Sequence, residues 1–253
     1  MHIDGKTFLI TGGASGLGAG TARILSQAGG HVVIADVDTV HGQEVAAALN
    51  GQFVKTDVTR SEDIEECLAV AKSSYGGVHG VVNCAGIGIA RRTLSKSGPH
   101  PLDLFERVID VNLIGTFNVV RLSAAAMAQQ EAWEDNERGA IVMSASVAAF
   151  EGQIGQAAYS ASKGGIVGLV LPLARELARF GIRVLAIAPG IFDTPMLGLL
   201  PDDARASLGA QMPFPPRLGQ PQEFGQLVRH IMENVMLNGT VIRIDGALRM
   251  QPQ

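Results

Sequence analysis

Residues 7–18 read TFLITGGASGLG, and residues 31–36 read HVVIAD. The first stretch passes from an apolar run into a glycine-rich turn, and the second is another short run rich in β-branched residues. Similar runs recur along the chain, with longer helical patterns between them. Strands that alternate with helices are joined by right-handed crossovers, so this order predicts a parallel sheet covered by helices on both faces.

The alternation continues to the C-terminal end and defines the predicted fold. The predicted strands cover residues 7–10, 31–35, 52–55, 80–82, 140–143, 183–187 and 240–244. The predicted helices cover residues 17–28, 61–74, 102–130, 157–180 and 221–233. We therefore expect an α/β fold, a single doubly wound (Rossmann) domain over residues 1–253 with a seven-stranded parallel sheet. Two irregular segments, 88–101 and 190–217, are expected to be substrate loops, because long loops in compact domains are usually functional.

Composition restricts the class of protein. Hydrophobic residues make up 47% of the chain and charged residues 17%, which is typical of a protein with a packed core. A net charge of −4 offers no basic surface to nucleic acid, and the two cysteines and six scattered histidines predict neither a disulfide framework nor a metal site. No signal peptide and no apolar run of about 18 residues is recognised, so we expect no membrane contact. A cytoplasmic location is predicted, or the mitochondrial matrix if the source is eukaryotic.

The glycine-rich turn predicts a dinucleotide site. Gly12 and Gly16 allow a tight turn and a close approach of the backbone to a pyrophosphate. Gly18 lets the following helix pack near the sheet, and the N–H groups of that helix start attract phosphate. Ser15 adds a hydroxyl, and Leu17 adds a backbone donor.

Asp36 ends the second predicted strand, about 20 residues beyond the turn, where an acid accepts hydrogen bonds from the ribose 2′-hydroxyl. After Asp36, no Arg or Lys follows before Lys55. A 2′-phosphate would therefore meet a carboxylate with no cation beside it, and NAD is predicted rather than NADP.

Two further strand ends are predicted to contact the cofactor. Asp57 accepts a hydrogen bond from the adenine amine, and Val58 contributes its backbone. The small residues after the fourth strand allow the adenosine ribose and the nicotinamide to lie close to the chain; they are Asn83, Cys84, Ala85 and Gly86. Within this set, Cys84 is expected to be a packing residue rather than a reactive thiol.

Residues 157–165 read AAYSASKGG, and they place Tyr159 and Lys163 on one face of a helix. A neighbouring ammonium favours the ionised phenol, so Lys163 is expected to lower the pKa of Tyr159 and make it an acid/base group. Ser146 follows the fifth strand and is expected to polarise a carbonyl or alkoxide oxygen. Asn112 is either a site residue or a buried, hydrogen-bonded residue of the long helix.

Together these motifs resemble the short-chain dehydrogenase/reductase family over nearly the whole chain. They are TGGASGLG, Asp36, NCAG, Asn112, Ser146, YSASK and PGIFDT. The resemblance implies a catalytic tetrad in which Asn112 holds the water of a proton relay and Ser146 polarises the substrate. Tyr159 is then the acid/base, and Lys163 binds the nicotinamide ribose and lowers the pKa of Tyr159.

The same resemblance implies that Pro189, Phe192 and Thr194 contact the nicotinamide end of NAD. Residues 145–168, 212–219 and 238–250 are in addition similar to those members of the family that oxidise (S)-3-hydroxyacyl-CoA to 3-oxoacyl-CoA in fatty acid metabolism. Those members use NAD and are homotetramers, which implies both properties here.

For such a substrate, Gln153 and Gln156 are expected to line the pocket beside Ser146 and Tyr159. Segment 88–101 carries three cations, namely Arg91, Arg92 and Lys96. They either hold the phosphates of CoA or belong to a solvated loop, and both interpretations remain open. The charge of Asp193 has no assigned role.

Three other functions remain open. A reductase of 3-oxoacyl carriers would use NADPH, against which Asp36 argues. A dehydrogenase of steroid, sugar or other secondary alcohols fits equally well, because the fold and the tetrad do not fix the substrate. A binding or scaffold role is disfavoured by the intact tetrad.

Overall fold

Seven parallel strands form the central sheet of the protein, and its computed structural model describes residues 1–197 and 202–252. In chain order the elements are β1 (Thr7–Thr11), α1 (Gly16–Gln27), β2 (His31–Asp36), α2 (Thr39–Ala48), β3 (Gln52–Lys55), α3 (Ser61–Tyr75), β4 (Gly80–Asn83), β5 (Leu94–Ser95), β6 (Gly98–Pro99), α4 (Leu102–Ile109), α5 (Thr116–Ala128), β7 (Gly139–Ser144), α6 (Ala157–Leu177), β8 (Ile182–Pro189), α7 (Asp202–Ala210), α8 (Pro221–Glu233) and β9 (Val241–Ile244). A π-helical segment, Asp110–Gly115, joins α4 to α5. The predicted α/β fold and its seven-stranded parallel sheet are confirmed.

The order of the strands opens a crevice at one edge of the sheet. It is β3-β2-β1-β4-β7-β8-β9, and every pairing in it is parallel. The chain runs outward from β1 through β2 to β3 and then returns to the other side of β1 with β4. Doubly wound sheets bind their ligands at such a switch point, beyond the carboxyl ends of the strands. The loops after Thr11 and Asn83 meet there.

The central strands are buried on both faces. Phe8 and Ile10 belong to a cluster packed against α1 and α8, whereas Leu9 belongs to a cluster packed against α3, α5 and α6. Successive side chains of a strand point to opposite faces, so burial of both faces requires an unbroken apolar run. This requirement explains why the short apolar runs of the sequence predicted the strands correctly.

Two segments that the sequence suggests to be irregular contain short elements. Segment 88–101 carries the antiparallel hairpin of β5 and β6, and segment 190–217 carries α7. Residues 198–201 of the second segment lie outside the described residues. Helix α2, which the sequence pattern did not predict, begins where Asp38 accepts a hydrogen bond from His41 N at 3.1 Å.

Two helical stretches are more apolar than the sequence analysis allowed. In the described part of the chain, Leu102–Ala128 and Ala157–Phe180 have the length and composition of a membrane span. The prediction that no run of about 18 residues would reach this level is therefore wrong. Both stretches cover the sheet, with 50% and 39% of their most apolar windows buried, and core helices meet the same criterion.

His79 is a partly buried residue whose protonation opposes folding. Its Nδ1 accepts a hydrogen bond from Thr7 N at 3.0 Å. Burial, reinforced by the charge of Lys6, lowers the pKa of His79 to about 4. The unfolded chain, with a histidine pKa of about 6.5, binds more protons between these two values. The contribution to stability is therefore complete above about pH 6.5 and is lost as the pH falls toward about 4.

We expect His79→Gln to reduce this loss, because glutamine still offers an acceptor to Thr7 N but does not titrate. The free energy of unfolding should fall less between about pH 6.5 and about pH 4 in the variant than in the unaltered protein. Urea unfolding at the two pH values measures the difference, with His2→Gln at an exposed position as the control. An equal fall in both variants would contradict the prediction.

Candidate active site

The glycine loop packs directly against the loop after β4. Gly12 has a φ of +63°, and a Cβ on it would lie 2.7 Å from Ala85 N and 2.8 Å from Cys84 O. Thr11 joins the same two loops, because its hydroxyl accepts a hydrogen bond from Ala85 N at 3.3 Å. No sequence pattern had indicated a role for this residue. Only glycine permits this approach, and it brings two of the predicted cofactor segments together.

The start of α1 forms the other side of the glycine loop. Ser15 is the exposed N-cap residue, and its hydroxyl makes no capping hydrogen bond. A Cβ on Gly18 would overlap with Gly12 O, and a Cβ on Gly16 would lie 3.4 Å from the Thr194 Cβ. Glycines packed closely around a helix N-terminus, with free N–H groups, fit a pyrophosphate. Thr194 is thereby brought beside the loop.

Asp36 reaches back to the glycine loop. Its Oδ2 accepts a hydrogen bond from Ala14 N at 3.0 Å, and its Oδ1 accepts one from Asp38 N at 3.0 Å. Lys55, remote in sequence, is the Cα partner of Asp36 in the pairing of β2 with β3. This pairing brings the backbone of a lysine next to Asp36, which the spacing along the sequence did not indicate, but no ion pair joins the two side chains in the described structure. The predicted preference for NAD then depends on the carboxylate itself.

Asp57 and Val58 form a tightly held turn after β3. Asp57 Oδ1 accepts hydrogen bonds from Thr59 N at 3.0 Å and Thr59 Oγ1 at 2.7 Å, while Asp57 N donates to Asp63 Oδ2 at 2.8 Å. Val58 is buried, and its carbonyl accepts from Asn118 Nδ2 at 2.9 Å. Asp57 also lines a cavity of about 350 Å³. The hydrogen bonds keep the turn rigid, so that it can present a fixed surface to the adenine ring of a cofactor.

The carboxyl end of β4 combines an unpaired amide, at Asn83, with the inert thiol of Cys84. Asn83 is 2% exposed, and both polar atoms of its side chain have no hydrogen-bond partner within the described residues. A buried amide without partners is rare, and this one fits a site that receives a polar ligand. Burial raises the pKa of the Cys84 thiol to about 12, so Cys84 is a packing residue, as predicted.

Asn112 lies in the π-helical segment, where the sequence predicts a regular helix. Its Oδ1 accepts a hydrogen bond from Ile87 N at 2.8 Å, and its Nδ2 donates to Ile87 O at 2.9 Å and to Ser162 Oγ at 3.1 Å. A Cβ on Gly86 would lie 3.2 Å from Asn112 Oδ1 and 3.7 Å from Lys163 Nζ. The amide is therefore held by three hydrogen bonds and attaches the loop after β4 at the site. Turns of π-helix frequently occur at functional sites.

Tyr159, Ser146 and Lys163 come together beyond the carboxyl end of β7. The Ser146 hydroxyl lies close enough to the Tyr159 phenol to influence its pKa, and it accepts from Ala148 N at 3.1 Å. Lys163 Nζ lies 5.7 Å from the centre of the Tyr159 ring and donates to Ser144 O at 2.7 Å. Lys163 is 5% exposed, and an ammonium carries three donors. Only Ser144 O accepts from it in the described part of the chain.

Burial controls the ionisation of this cluster. It raises the pKa of Tyr159, and the hydrogen bond with Ser146 opposes that change without reversing it. It also lowers the pKa of Lys163 to about 8. The prediction that Lys163 lowers the pKa of Tyr159 is wrong in this structure. Desolvation of the phenol dominates, and the ammonium is directed to Ser144 O.

Some predicted cofactor residues can contribute only their backbone. Phe192 is 6% exposed and packs edge-on against Phe224, with ring centres 6.5 Å apart. Leu17 packs partly buried against the same core cluster, and Pro189 is a buried residue at the end of β8. Nothing in a Pro-Gly-Ile-Phe sequence indicates that its Phe side chain turns into the core, because the partner lies on α8.

Gln153 and Gln156 are hydrogen-bonded to each other. Gln156 Oε1 accepts from Gln153 N at 3.0 Å, and Gln156 Nε2 donates to Gln153 Oε1 at 3.3 Å. Gln153 lines a cavity of about 550 Å³ that residues 92–94 also border. Neither Tyr159 nor Ser146 lines this cavity. The cavity therefore lies beside the hydroxyl groups of these two residues rather than in front of them.

The cations of segment 88–101 are exposed. Arg91, Arg92 and Lys96 form no ion pair with any carboxylate among residues 1–197 and 202–252. The Arg91 backbone N–H donates to Gly155 O at 2.8 Å, which attaches the loop to the segment before α6, and Arg92 borders the same cavity as Gln153. The two interpretations of these cations both remain compatible with the structure.

Known proteins resemble this chain over almost its full length. A family model described as short chain dehydrogenase matches residues 6–205. The 3-hydroxyacyl-CoA dehydrogenase type-2 of Bos taurus is 54% identical over 99% of this chain and 97% of its own. The 3-oxoacyl-(acyl-carrier-protein) reductase of Thermotoga maritima is 35% identical over 98% of this chain and 99% of its own. The crystal structure of 3-hydroxyacyl-CoA dehydrogenase type-2 from Mycobacterium avium has a TM-score of 0.92 and 41% identity, covering 98% of this chain and 97% of that one.

Proposed function

Because the chain belongs to the short chain dehydrogenase family and is an oxidoreductase, we propose that it oxidises (S)-3-hydroxyacyl-CoA to 3-oxoacyl-CoA with NAD. Residues 1–253 are taken as one catalytic domain. The observation that carries the proposal is the grouping of Ser146, Tyr159 and Lys163 at the carboxyl edge of the sheet, with Lys163 Nζ 5.7 Å from the centre of the Tyr159 ring. The name of the bovine relative supports the choice of an acyl-CoA substrate.

In the proposed mechanism, Tyr159 takes the proton of the substrate hydroxyl, or returns it in the reverse reaction. Ser146 donates a hydrogen bond to the substrate oxygen and so stabilises its partial charge. Lys163 holds the nicotinamide ribose with the donors that Ser144 O does not occupy, and Asn112 carries the relay that exchanges the proton with solvent. NAD, when bound, supplies the positively charged ring that accepts the hydride.

The proposed cofactor site follows the crevice between β1 and β4. Backbone groups of the glycine loop hold the pyrophosphate, an acid holds the adenosine ribose, and a rigid turn holds the adenine. Residues at the end of β4 and just beyond it border the adenosine ribose and the nicotinamide, and residues from the end of β8 onward border the nicotinamide end. The residues in this order are Gly12, Ser15, Gly16, Leu17 and Gly18; Asp36; Asp57 and Val58; Asn83, Cys84, Ala85 and Gly86; Pro189, Phe192 and Thr194. The fit is supported by the missing space for a Cβ at Gly12 and by the unpaired amide of Asn83.

We expect Asp36→Asn to shift the cofactor preference toward NADP. The amide still accepts from Ala14 N, but it neither repels a 2′-phosphate nor accepts strongly from a ribose hydroxyl. A charged hydrogen bond contributes about 1.5–3 kcal/mol, so kcat/KM for NAD should fall at least about tenfold while that for NADP rises. Steady-state rates with both cofactors measure the shift. Asp38→Asn, which removes a nearby charge while its amide oxygen can still cap α2, is the control, and an equal effect of the two changes would contradict the role of Asp36.

The proposed function is tested by NAD-linked turnover of (S)-3-hydroxybutyryl-CoA and of a panel of steroid, sugar and simple secondary alcohols, with NADP as the cofactor control. We expect the acyl-CoA and NAD to give the largest kcat/KM. Turnover of a steroid or sugar alcohol without turnover of any acyl-CoA would overturn the substrate and favour a different alcohol dehydrogenase. Preference for NADPH and a carrier-bound 3-oxoacyl group would favour the reductase.

The cations of segment 88–101 are proposed to hold the phosphates of CoA. Support comes from their position: Arg91, Arg92 and Lys96 are exposed and have no carboxylate partner in the described chain. Comparing acetoacetyl-CoA with its pantetheine analogue tests this role separately from the chemistry. We expect a lower kcat/KM for the analogue, and equal values for the two thioesters would remove the role.

We also propose a homotetramer in the cytoplasm, or in the mitochondrial matrix of a eukaryotic source. Ile114, Phe117 and Leu171 are exposed apolar side chains on the two long helical stretches, at 52%, 42% and 44% exposure. Such faces are suited to pack against a second copy across a two-fold axis. A stable monomer in sedimentation velocity would contradict this assembly.

A further inference from the structure

Four charged side chains tie the C-terminal tail to the segment that follows Ser146. Arg243, at the end of β9, pairs with Glu151 through Nη1–Oε1 at 2.8 Å and Nη2–Oε2 at 3.2 Å. The Arg243 Nε also lies 2.7 Å from Asp245 Oδ2. Arg249 completes the set, with Nε at 3.3 Å from Glu151 Oε1 and Nη1 at 3.2 Å from Asp245 Oδ2. In this charge cluster, each acid contacts both arginines.

The charge cluster is partly withdrawn from solvent. The side chains of Arg243, Glu151 and Asp245 are 25%, 22% and 9% exposed. The Arg243 guanidinium lies 5.5 Å from the centre of the Phe150 ring, and its hydrogen bond lowers the pKa of Glu151. Bidentate arginine–carboxylate pairs of this kind keep their geometry far better than single exposed ion pairs. The charge cluster therefore holds the C-terminal tail and the segment after Ser146 in one fixed arrangement.

Hydrogen bonds to the backbone of the tail continue this attachment beyond the charge cluster. Met250 N donates to Glu151 Oε2 at 3.3 Å. The carbonyls of residues 251 and 252 then accept from Gln153 Nε2 at 3.0 Å and from Ile154 N at 2.9 Å. Successive tail residues thus follow the segment residue by residue, so the position of one fixes the position of the other.

The segment held in this way, residues 147–156, is named here the substrate wall. It begins directly after Ser146 and ends at the first turn of the helix that carries Tyr159. Its other side is attached to segment 88–101, where Arg91 N donates to Gly155 O at 2.8 Å. The substrate wall therefore lies between an exposed loop and the tail. One of its ends follows Ser146, and the other leads into the helix that carries Tyr159.

We propose that the charge cluster is a positioning device through which the C-terminal tail fixes the substrate wall and so sets the affinity for the alcohol substrate. Its four residues act through the wall and are positioning residues, not catalytic ones. The inference rests on the proposed function, because the wall lines a substrate site only if Ser146 and Tyr159 act on an alcohol.

The test compares two identical substitutions, Glu151→Gln in the charge cluster and Glu233→Gln on α8. Glu233 pairs with Arg229 at 3.0 Å on the exposed face of that helix, which makes it a matched control away from the wall. Loss of positioning should raise the KM of Glu151→Gln for the alcohol about tenfold, with kcat within about twofold of the unaltered protein. The Kd for NADH, from its fluorescence, should stay unchanged in both variants.

A KM for Glu151→Gln equal to that of Glu233→Gln would overturn the inference. So would a parallel loss of NADH affinity and melting temperature, since a general structural role predicts both. If Glu151→Gln does not fold, Arg249→Ala replaces it, because that side chain is 60% exposed, and its KM should rise about threefold. The assay uses whichever alcohol the unaltered protein oxidises, so failure of the acyl-CoA substrate is seen separately from failure of the positioning role.

Discussion

Replacing Tyr159 by phenylalanine is expected to lower kcat by about 10²–10⁴-fold, the usual contribution of a positioned acid/base group. The change removes one hydroxyl and leaves the ring in its place beside Lys163, so the proton of the substrate loses its acceptor while the site keeps its shape. Ser146 loses its partner but keeps the hydrogen bond from Ala148 N. Binding of NADH should therefore persist in the variant.

The chain offers a matched control, because Tyr75 is its only other tyrosine. The Tyr75 ring stacks on His31 with centres 4.5 Å apart, at the end of α3 and away from the carboxyl edge of the sheet. Steady-state rates of Tyr159→Phe and Tyr75→Phe, with NADH titrations of both, separate a chemical effect from a structural one. A kcat for Tyr159→Phe within about twofold of the Tyr75→Phe value would refute the proposed acid/base role.

Local patterns predicted those parts of the molecule whose structure depends on near neighbours. Phe8, Leu9 and Ile10 form an unbroken apolar run because both faces of their strand are covered, and the run alone identified the strand. The four-residue spacing of Tyr159 and Lys163 placed them on one face of a helix, and Lys163 does lie against the Tyr159 ring. In each case the physical cause acts within one turn or one strand.

Features that depend on distant segments were not predictable in this way. The pairing of β2 with β3 puts Lys55 beside Asp36, and no pattern around either residue indicates it. The π-helical turn at Asn112 exists together with hydrogen bonds to Ile87, 25 positions away. The pKa of Tyr159 is raised rather than lowered, because burial removes the phenol from water and depends on the whole packed structure.

Gly12→Ala is expected to weaken NADH binding about a hundredfold. An alanine at a φ of +63° costs about 1–2 kcal/mol, and its Cβ would lie 2.7 Å from Cys84 C and Ala85 N. Those atoms are backbone and cannot rotate away, so relieving the overlap must separate the two loops at about 1–3 kcal/mol more. Because the two loops form the proposed cradle, the part of about 1–3 kcal/mol that separates them should be seen in the affinity, whereas the backbone strain lowers the stability.

Gly5→Ala separates the two parts of this cost, because Gly5 has a φ of +69° and no atom of the described chain lies within 4 Å of its ideal Cβ. It should lose about 1–2 kcal/mol of stability and no NADH affinity. Fluorescence titration with NADH and thermal unfolding of both variants give the two quantities. If Gly12→Ala bound NADH as tightly as Gly5→Ala, the glycine loop would not be the cofactor cradle. If Gly12→Ala did not fold, Gly16→Ala, whose Cβ would meet only the Thr194 and Pro195 side chains at 3.4–3.6 Å, should still fold and lose affinity.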